Sequence, residues 1–211
     1  NKSLAYKVGK VLADESKENN ISINLGPGGN LHRNILCGRH PEYFSEDPIL
    51  TGTLMAYQAR GLEENGVIAT YKHLIANNIE FERKSAHGII DENTLRDLYL
   101  RVFDKAFSLY KPGCVMTSYN PVNGIYPCEN SALLNDLLRG EWGFDGFVMT
   151  DWGSYDTADS IRSVCAGTNL LTPGSKKHFR MILKAVKRNE ISKAALQHSV
   201  KQIVKVLVKC I

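Results

Sequence analysis

The order of elements in this sequence predicts an α/β fold, and within it a (β/α)8 TIM-type barrel incomplete at its N-terminal side. Strand-like and helical runs alternate with no hairpin signal between strands. This implies parallel strands with crossover helices, in a barrel or a doubly wound sheet. Each strand run leads into a loop rich in polar residues, which favours the barrel, whose working face is built from such loops. A barrel typically takes about 250 residues. The 211 here hold five strand runs and open on a helix, so at least the first strand is expected to lie outside the sequence.

The elements follow in order. Leu4, Val8, Val11 and Leu12 fall at helical spacing and predict an amphipathic helix from Lys2 to about Lys17, ended by Asn19 and Asn20. Ile21 to Leu25 alternates β-branched with small polar residues as a strand does, and GPGGN after it reads as a turn or loop. A long loop from Gly26 to Glu46 carries His32, Arg33, Arg39, His40 and Glu42, and loops of that length in compact domains are often functional. Asp47 followed by Pro48 starts a helix that Asn65-Gly66 stops. Val67 to Tyr71 is the second strand, ending in Lys72-His73, and a loop from Leu74 to Ile90 follows. Asp91 caps the clearest helix, in which Leu95, Leu98, Tyr99, Val102, Phe103 and Ala106 keep helical spacing until Pro112-Gly113. Cys114 to Thr117 is the third strand, and Ser131 caps a short helix to Arg139. Phe147 to Met149 is the fourth strand, with flanking glycines at Gly146 and Gly153. A helix containing Ile161 and Val164, a short strand from Asn169 to Leu171, and two helices complete the chain. The last of these presents Leu196, Val200, Ile203, Val204 and Leu207 on one face.

With hydrophobic residues at 43% and charged residues at 23%, residues 1–211 read as one globular domain with a substantial core. The formal net charge of +4 is modest. The basic residues concentrate in the last helices between apolar positions, where a solvated face is a better account than a nucleic-acid surface. No apolar run approaches the roughly 18 residues of a membrane span, and no signal peptide is visible. The chain begins at Asn1 and goes straight into a helix, as a trimmed or cleaved end would. Five scattered cysteines without a CxxC pair point to reduced thiols and a cytoplasmic setting.

The candidates for chemistry lie at strand ends: Arg39 in the loop after the first strand, Lys72 and His73 after the second, Tyr119 after the third and Asp151 after the fourth. Asp151 has two readings, an acid at the working face or the cap of a helix near Tyr155. Metal binding is not indicated, because His73 has no partner at ligand spacing. GPGGN matches neither glycine-rich phosphate-loop pattern, so no nucleotide cofactor is indicated either. Lys72 at a strand end suits a Schiff base or simple solvation. Together with His73, Arg39 and Asp151 it better suits a ring of hydrogen-bonding groups around a polyhydroxylated ligand.

The segments GRHPEYFSEDP, TYKHLIANNIEFER, TLRDLYLRVF, VMTSYNPVNG, LLRGEWGFDGFVMTDW and AGTNLLTPG resemble, in order and over almost the whole chain, the barrel motifs of family 3 glycoside hydrolases, the β-glucosidase group. The resemblance implies an oligosaccharide or β-glucoside substrate, no cofactor, and a retaining mechanism in which Asp151, in TDW, is the nucleophile. Trp152 would wall the sugar site and Met116 would line it. Arg39, Lys72 and His73 would hydrogen-bond sugar hydroxyls, Tyr119 would orient the nucleophile, and Arg83, in FER, would serve the site or an ion pair behind it. A carboxylate beside an anomeric carbon is kept ionised by such cationic neighbours.

There are also departures from the family pattern. Retaining hydrolysis needs a second carboxyl roughly 5 to 5.5 Å from the first. In this group it comes from a separate α/β sandwich domain, for which the chain has no room. The aspartate that grips distal hydroxyls is expected before Asn1. A related branch uses a loop histidine, but LIANNIEFER replaces its KHFPGHG motif, leaving His87 as a weak substitute. Asn169 stands where AGxDLxxPG has aspartate, a change read as structural. The missing barrel segment and sandwich domain would come from additional polypeptide. A catalytically incomplete sugar-binding or structural fragment is the other reading, and a Lys72 lyase a third.

Overall fold

The structure, a computed structural model, describes residues 1–210. Helix α1 (Lys2–Glu18) starts where the Asn1 side chain accepts from the Leu4 amide, and α2 (Pro48–Glu63) starts where Asp47 accepts from the Leu50 amide with Pro48 in the first turn. The two helices do not meet through the large residues that the spacing in α1 picks out. Leu4, Val8 and Val11 are exposed, and α1 buries Ala5, Gly9, Ala13 and Ser16 instead. The cause is a backbone contact: a β-carbon on Gly9 would lie 2.1 Å from the Gln58 carbonyl oxygen, and one on Gly61 2.2 Å from that of Tyr6.

Strands β1 (Thr70–Leu74), β2 (Cys114–Thr117) and β3 (Phe147–Met149) form a parallel sheet in chain order, with Thr70 opposite Cys114 and Cys114 opposite Phe147. Single parallel bridges extend it on both sides, Ile23 with Ile68 and Gly28 with Lys72 beyond β1, and Leu170 with Met149 beyond β3. All five expected strand runs therefore take part, in the expected order. Three details differ. β1 begins three residues later than Val67, because its ladder with β2 starts at Thr70, and it contains Lys72 and His73. Its polar end stays in the sheet because the Gly29 amide donates to the Lys72 carbonyl at 2.6 Å. By the same contacts, GPGGN runs extended beside β1.

Side-chain alternation splits the core between the two faces of the sheet. Tyr71, Val115 and Val148 pack with Met55, Leu62, Phe103, Phe107 and Leu134 from the helices. On the other face, Cys114, Met116, Phe147 and Met149 pack with Ile68 and Val206. Glu63, at the end of α2, ties helix to sheet: its carboxylate accepts from the Ala69 and Gly113 amides at 3.1 and 2.6 Å and from the Tyr110 hydroxyl at 3.0 Å.

The helix predicted after Asp91 runs as α3 (Glu92–Thr94), a π-helical stretch Leu95–Leu100 and α4 (Arg101–Leu109). A second π-helical stretch, Ala132–Glu141, precedes β3. Its opening amide at Leu133 is capped by Asn130, and Ser131 makes no side-chain cap. After β3 come α5 (Ser160–Ala166), capped by Asp159, then α6 (Lys176–Lys187) and α7 (Lys193–Leu207). From α7 the sheet takes Val206 and Ile203, while Val200, Val204 and Leu207 stay exposed. No helix among the described residues is long and apolar enough to cross a membrane.

Candidate functional site

The C-terminal ends of β1, β2 and β3 bring together the residues picked out by their strand-end positions. His73 is buried to 1% exposure. Its Nδ1 lies 3.0 Å from Asn30 Oδ1 and 3.3 Å from the Tyr43 hydroxyl, while Arg39 Nη2 lies 2.9 Å from its Nε2. A guanidinium only donates and an amide oxygen only accepts. The ring is therefore neutral, with its proton on Nδ1 facing Asn30 and its Nε2 lone pair taken by Arg39. Burial first, then the charges of Arg39, Lys72 and Arg83, hold its pKa well below the ordinary histidine value, in agreement with that assignment.

Arg39 also donates through Nε to Glu42 Oε1 at 2.5 Å, and Lys72 Nζ reaches Glu42 Oε2 at 2.9 Å. One carboxylate thus holds both cations apart and in place. Burial opposes the charge on Glu42, but its hydrogen bonds to Arg39 and Lys72 outweigh that and lower its pKa. For Arg39 likewise, the cost of burial is overcome by Glu42, and its pKa is raised. Arg83 pairs with Glu80 at 2.8 Å, and its guanidinium lies 4.6 Å from the centre of the Tyr119 ring. Glu80 also comes within 3.9 Å of Arg39, closing a chain of pairs around the site.

Asp151 follows β3 and is 8% exposed. Its Oδ1 accepts from the Trp152 amide at 2.7 Å. Its Oδ2 is buried, has no hydrogen-bond partner, and lies 3.5 Å from His73 Nε2. Because that nitrogen already accepts from Arg39, it has no proton to offer. That oxygen therefore receives no proton from His73, while the Tyr119 hydroxyl stands close enough to Asp151 to feel its charge. Asp151 does not cap a helix: α5 is capped by Asp159, and the short 3₁₀ turn Ser154–Asp156 has no side-chain cap.

Tyr119 donates its hydroxyl proton to the Trp152 carbonyl at 2.7 Å, and burial followed by the Asp151 charge pushes its pKa up to about 12. Trp152, next to Asp151 in the chain, is 62% exposed. Met116 is buried in the sheet face below. His87 lines a different cavity, of about 200 Å³, together with Asn78, Arg83, Tyr99 and Asn120.

Pattern reading did not single out Asn30, Tyr43 or Glu42 as site residues. Glu42 carried the one usable signal, since it lies three residues after Arg39, the separation at which a turn pairs opposite charges. Among the described residues no group of three His, Cys, Asp or Glu side chains is arranged to hold a metal ion. Both ring nitrogens of His73 are used within the protein, so what this strand-end cluster presents for hydrogen bonding is the cations Arg39 and Lys72 and the acceptor on Asp151.

The model described as "Glycosyl hydrolase family 3 N terminal domain" matches residues 1–206. Thermostable beta-glucosidase B of Acetivibrio thermocellus is 42% identical over 207 residues, covering 98% of this chain and 27% of that protein. Probable beta-glucosidase J of Neosartorya fischeri is 39% identical over 209 residues, covering 98% and 24%. Among solved structures, beta-glucosidase 3B from Thermotoga neapolitana in complex with glucose superposes with a TM-score of 0.94 at 39% identity, covering 99% of this chain and 30% of that one. The Bifidobacterium adolescentis GH3 beta-glucosidase gives 0.94 at 36% identity, covering 100% and 31%. The chain therefore spans less than a third of the length of these relatives.

Proposed function

Because the chain belongs to family 3 of the glycoside hydrolases, we propose that it carries the nucleophile half of a retaining β-glucosidase site, with Asp151 as nucleophile. The observation that supports this most directly is the buried, unpartnered Oδ2 of Asp151 at a strand end of a TIM-type barrel. In the first step Oδ2 attacks the anomeric carbon and the glycosidic C–O bond breaks. The leaving oxygen takes a proton from an acid, and the sugar is left as an ester of Asp151. In the second step the deprotonated acid removes a proton from water, the hydroxide adds at the same carbon, and Asp151 is released as carboxylate.

Arg39, Lys72 and His73 would hold the ring hydroxyls, with Arg83 beside them. Trp152 would flank the sugar, Met116 would form the floor, and Tyr119 would keep the turn behind Asp151 in place. The acid/base, the remaining strands and the sandwich domain would come from further polypeptide. A second reading, sugar binding without turnover, draws on one observation. Three carboxylates of the neighbouring loops are engaged in ion pairs: Glu42 with Arg39 and Lys72, Glu80 with Arg83, and Asp156 with Lys84.

A 2-fluoro-β-glucoside with an activated leaving group separates the two, since it needs little acid assistance. Labelling of Asp151, seen by peptide mass analysis and lost in Asp151→Asn, is the expected result. Binding of a sugar analogue without labelling would favour the second reading, and a label on another residue would displace Asp151.

A further inference from the structure

The turn after β3 is held from outside at two successive carbonyls. Tyr119 donates to the Trp152 carbonyl at 2.7 Å, and Lys84 Nζ donates to the next one, Gly153, at 3.2 Å. Lys84 also pairs with Asp156 Oδ2 at 2.7 Å and stands 5.5 Å from the centre of the Tyr119 ring. Its own carbonyl accepts from the Tyr126 hydroxyl at 3.3 Å. Three loops, those after β1, β2 and β3, therefore meet on the two peptide groups that follow Trp152. Gly153 has φ of 76°, so the chain doubles back there, with the Ser154 amide bonded to the Asp151 carbonyl at 3.1 Å.

A half-exposed lysine–aspartate pair alone contributes little. The added bond to a backbone carbonyl two residues from Asp151 changes what it does. With the carbonyls of Trp152 and Gly153 drawn away toward Tyr119 and Lys84, the Trp152 amide stays directed at Asp151 Oδ1, at 2.7 Å. We propose that Lys84 is a positioning residue of this site, which acts through Gly153 and Asp156 to fix the Asp151 carboxylate and the Trp152 indole together. The proposal rests on the reading of Asp151 as nucleophile.

The test uses Lys84→Met and Lys84→Arg in the full-length enzyme that carries this chain, with active sites counted by burst titration with the 2-fluoro-β-glucoside. Misplacement of a reacting group by a fraction of an ångström is costly. Lys84→Met should therefore lose roughly ten- to a hundredfold in kcat/KM per titrated site, mainly in kcat. Lys84→Arg should recover most of it. A merely structural lysine would lower the number of competent sites and leave the rate per site unchanged. With 5-hydroxytryptophan placed at position 152 by amber suppression and excited to the red of ordinary tryptophan, its fluorescence anisotropy should fall in Lys84→Met. A rate per site within twofold of the parent, or an unchanged anisotropy, would overturn the role of Lys84. A parent enzyme that fails to label at Asp151 would overturn the functional reading and the positioning role with it.

Discussion

His73 sets a pH limit on this fold. Its pKa in the folded chain lies well below the ordinary value of 6.5, first because it is buried and then because Arg39, Lys72 and Arg83 surround it. An unfolded chain takes up a proton at this residue once the pH falls below about 6.5, while the folded chain does not. The stability tied to His73 is therefore fully present above that pH and declines as the solution is acidified, by up to about 1.4 kcal/mol per pH unit. Urea unfolding from neutral pH to about pH 5 should show this slope, and His73→Gln, though less stable overall, should lose that part of it. Parallel slopes in the two proteins would mean that His73 carries a proton when folded. The strand-end positions of Asp151, Lys72, His73 and Tyr119 could be read from the apolar runs before them. The proton on His73 Nδ1 could not, because Asn30 and Arg39 reach it from a loop with no periodic pattern. Asn169, read as a structural change, is bonded within the fold: its Oδ1 accepts from Arg139 at 2.8 Å and from the Val148 amide at 2.7 Å, below the site.

Among the elements, the α1–α2 pair shows where hydrophobic spacing misleads. The pattern of Leu4, Val8 and Val11 located the helix but not its buried side. Two glycines, Gly9 and Gly61, let the backbones touch, and small residues fill that contact. Gly9→Ala would gain about 1 kcal/mol in helix propensity. It would also place a methyl 2.1 Å from the Gln58 carbonyl oxygen, which backbone cannot easily yield. Overpacking of this kind costs roughly 1 to 3 kcal/mol or more, so a net loss of stability is expected in thermal melts. An unchanged or raised melting temperature would show that the helices do not pack at this distance. The β-strands were legible because β2 and β3 are short apolar runs between breakers. β1 was misplaced by three residues because its polar end is paired by backbone that looked like a loop. The π-helical widenings at Leu95–Leu100 and Ala132–Glu141 left no mark in the residue pattern, since the spacing of apolar residues there fits an ordinary helix.

For the molecule as a whole, the five parallel runs lie in chain order, so the loops that follow β1, β2 and β3 emerge at one end and converge without any long excursion of the chain. That arrangement is why residues as far apart as Arg39 and Asp151 share one site. Arg39, Lys72 and Arg83 are joined there to Glu42 and Glu80 in one linked set of pairs, and Asp151 beside the neutral His73 brings the third negative charge, so three formal positive charges stand against three negative. Dissolved ions have little net field to screen at such a balanced cluster, and an uncharged guest displaces none of them on binding. The Michaelis constant for a neutral glycoside should accordingly hold within about twofold as ionic strength rises from about 0.01 to 1 M, a range over which the Debye length shrinks about tenfold. A strong dependence would mean that the guest these balanced charges receive brings a charge of its own.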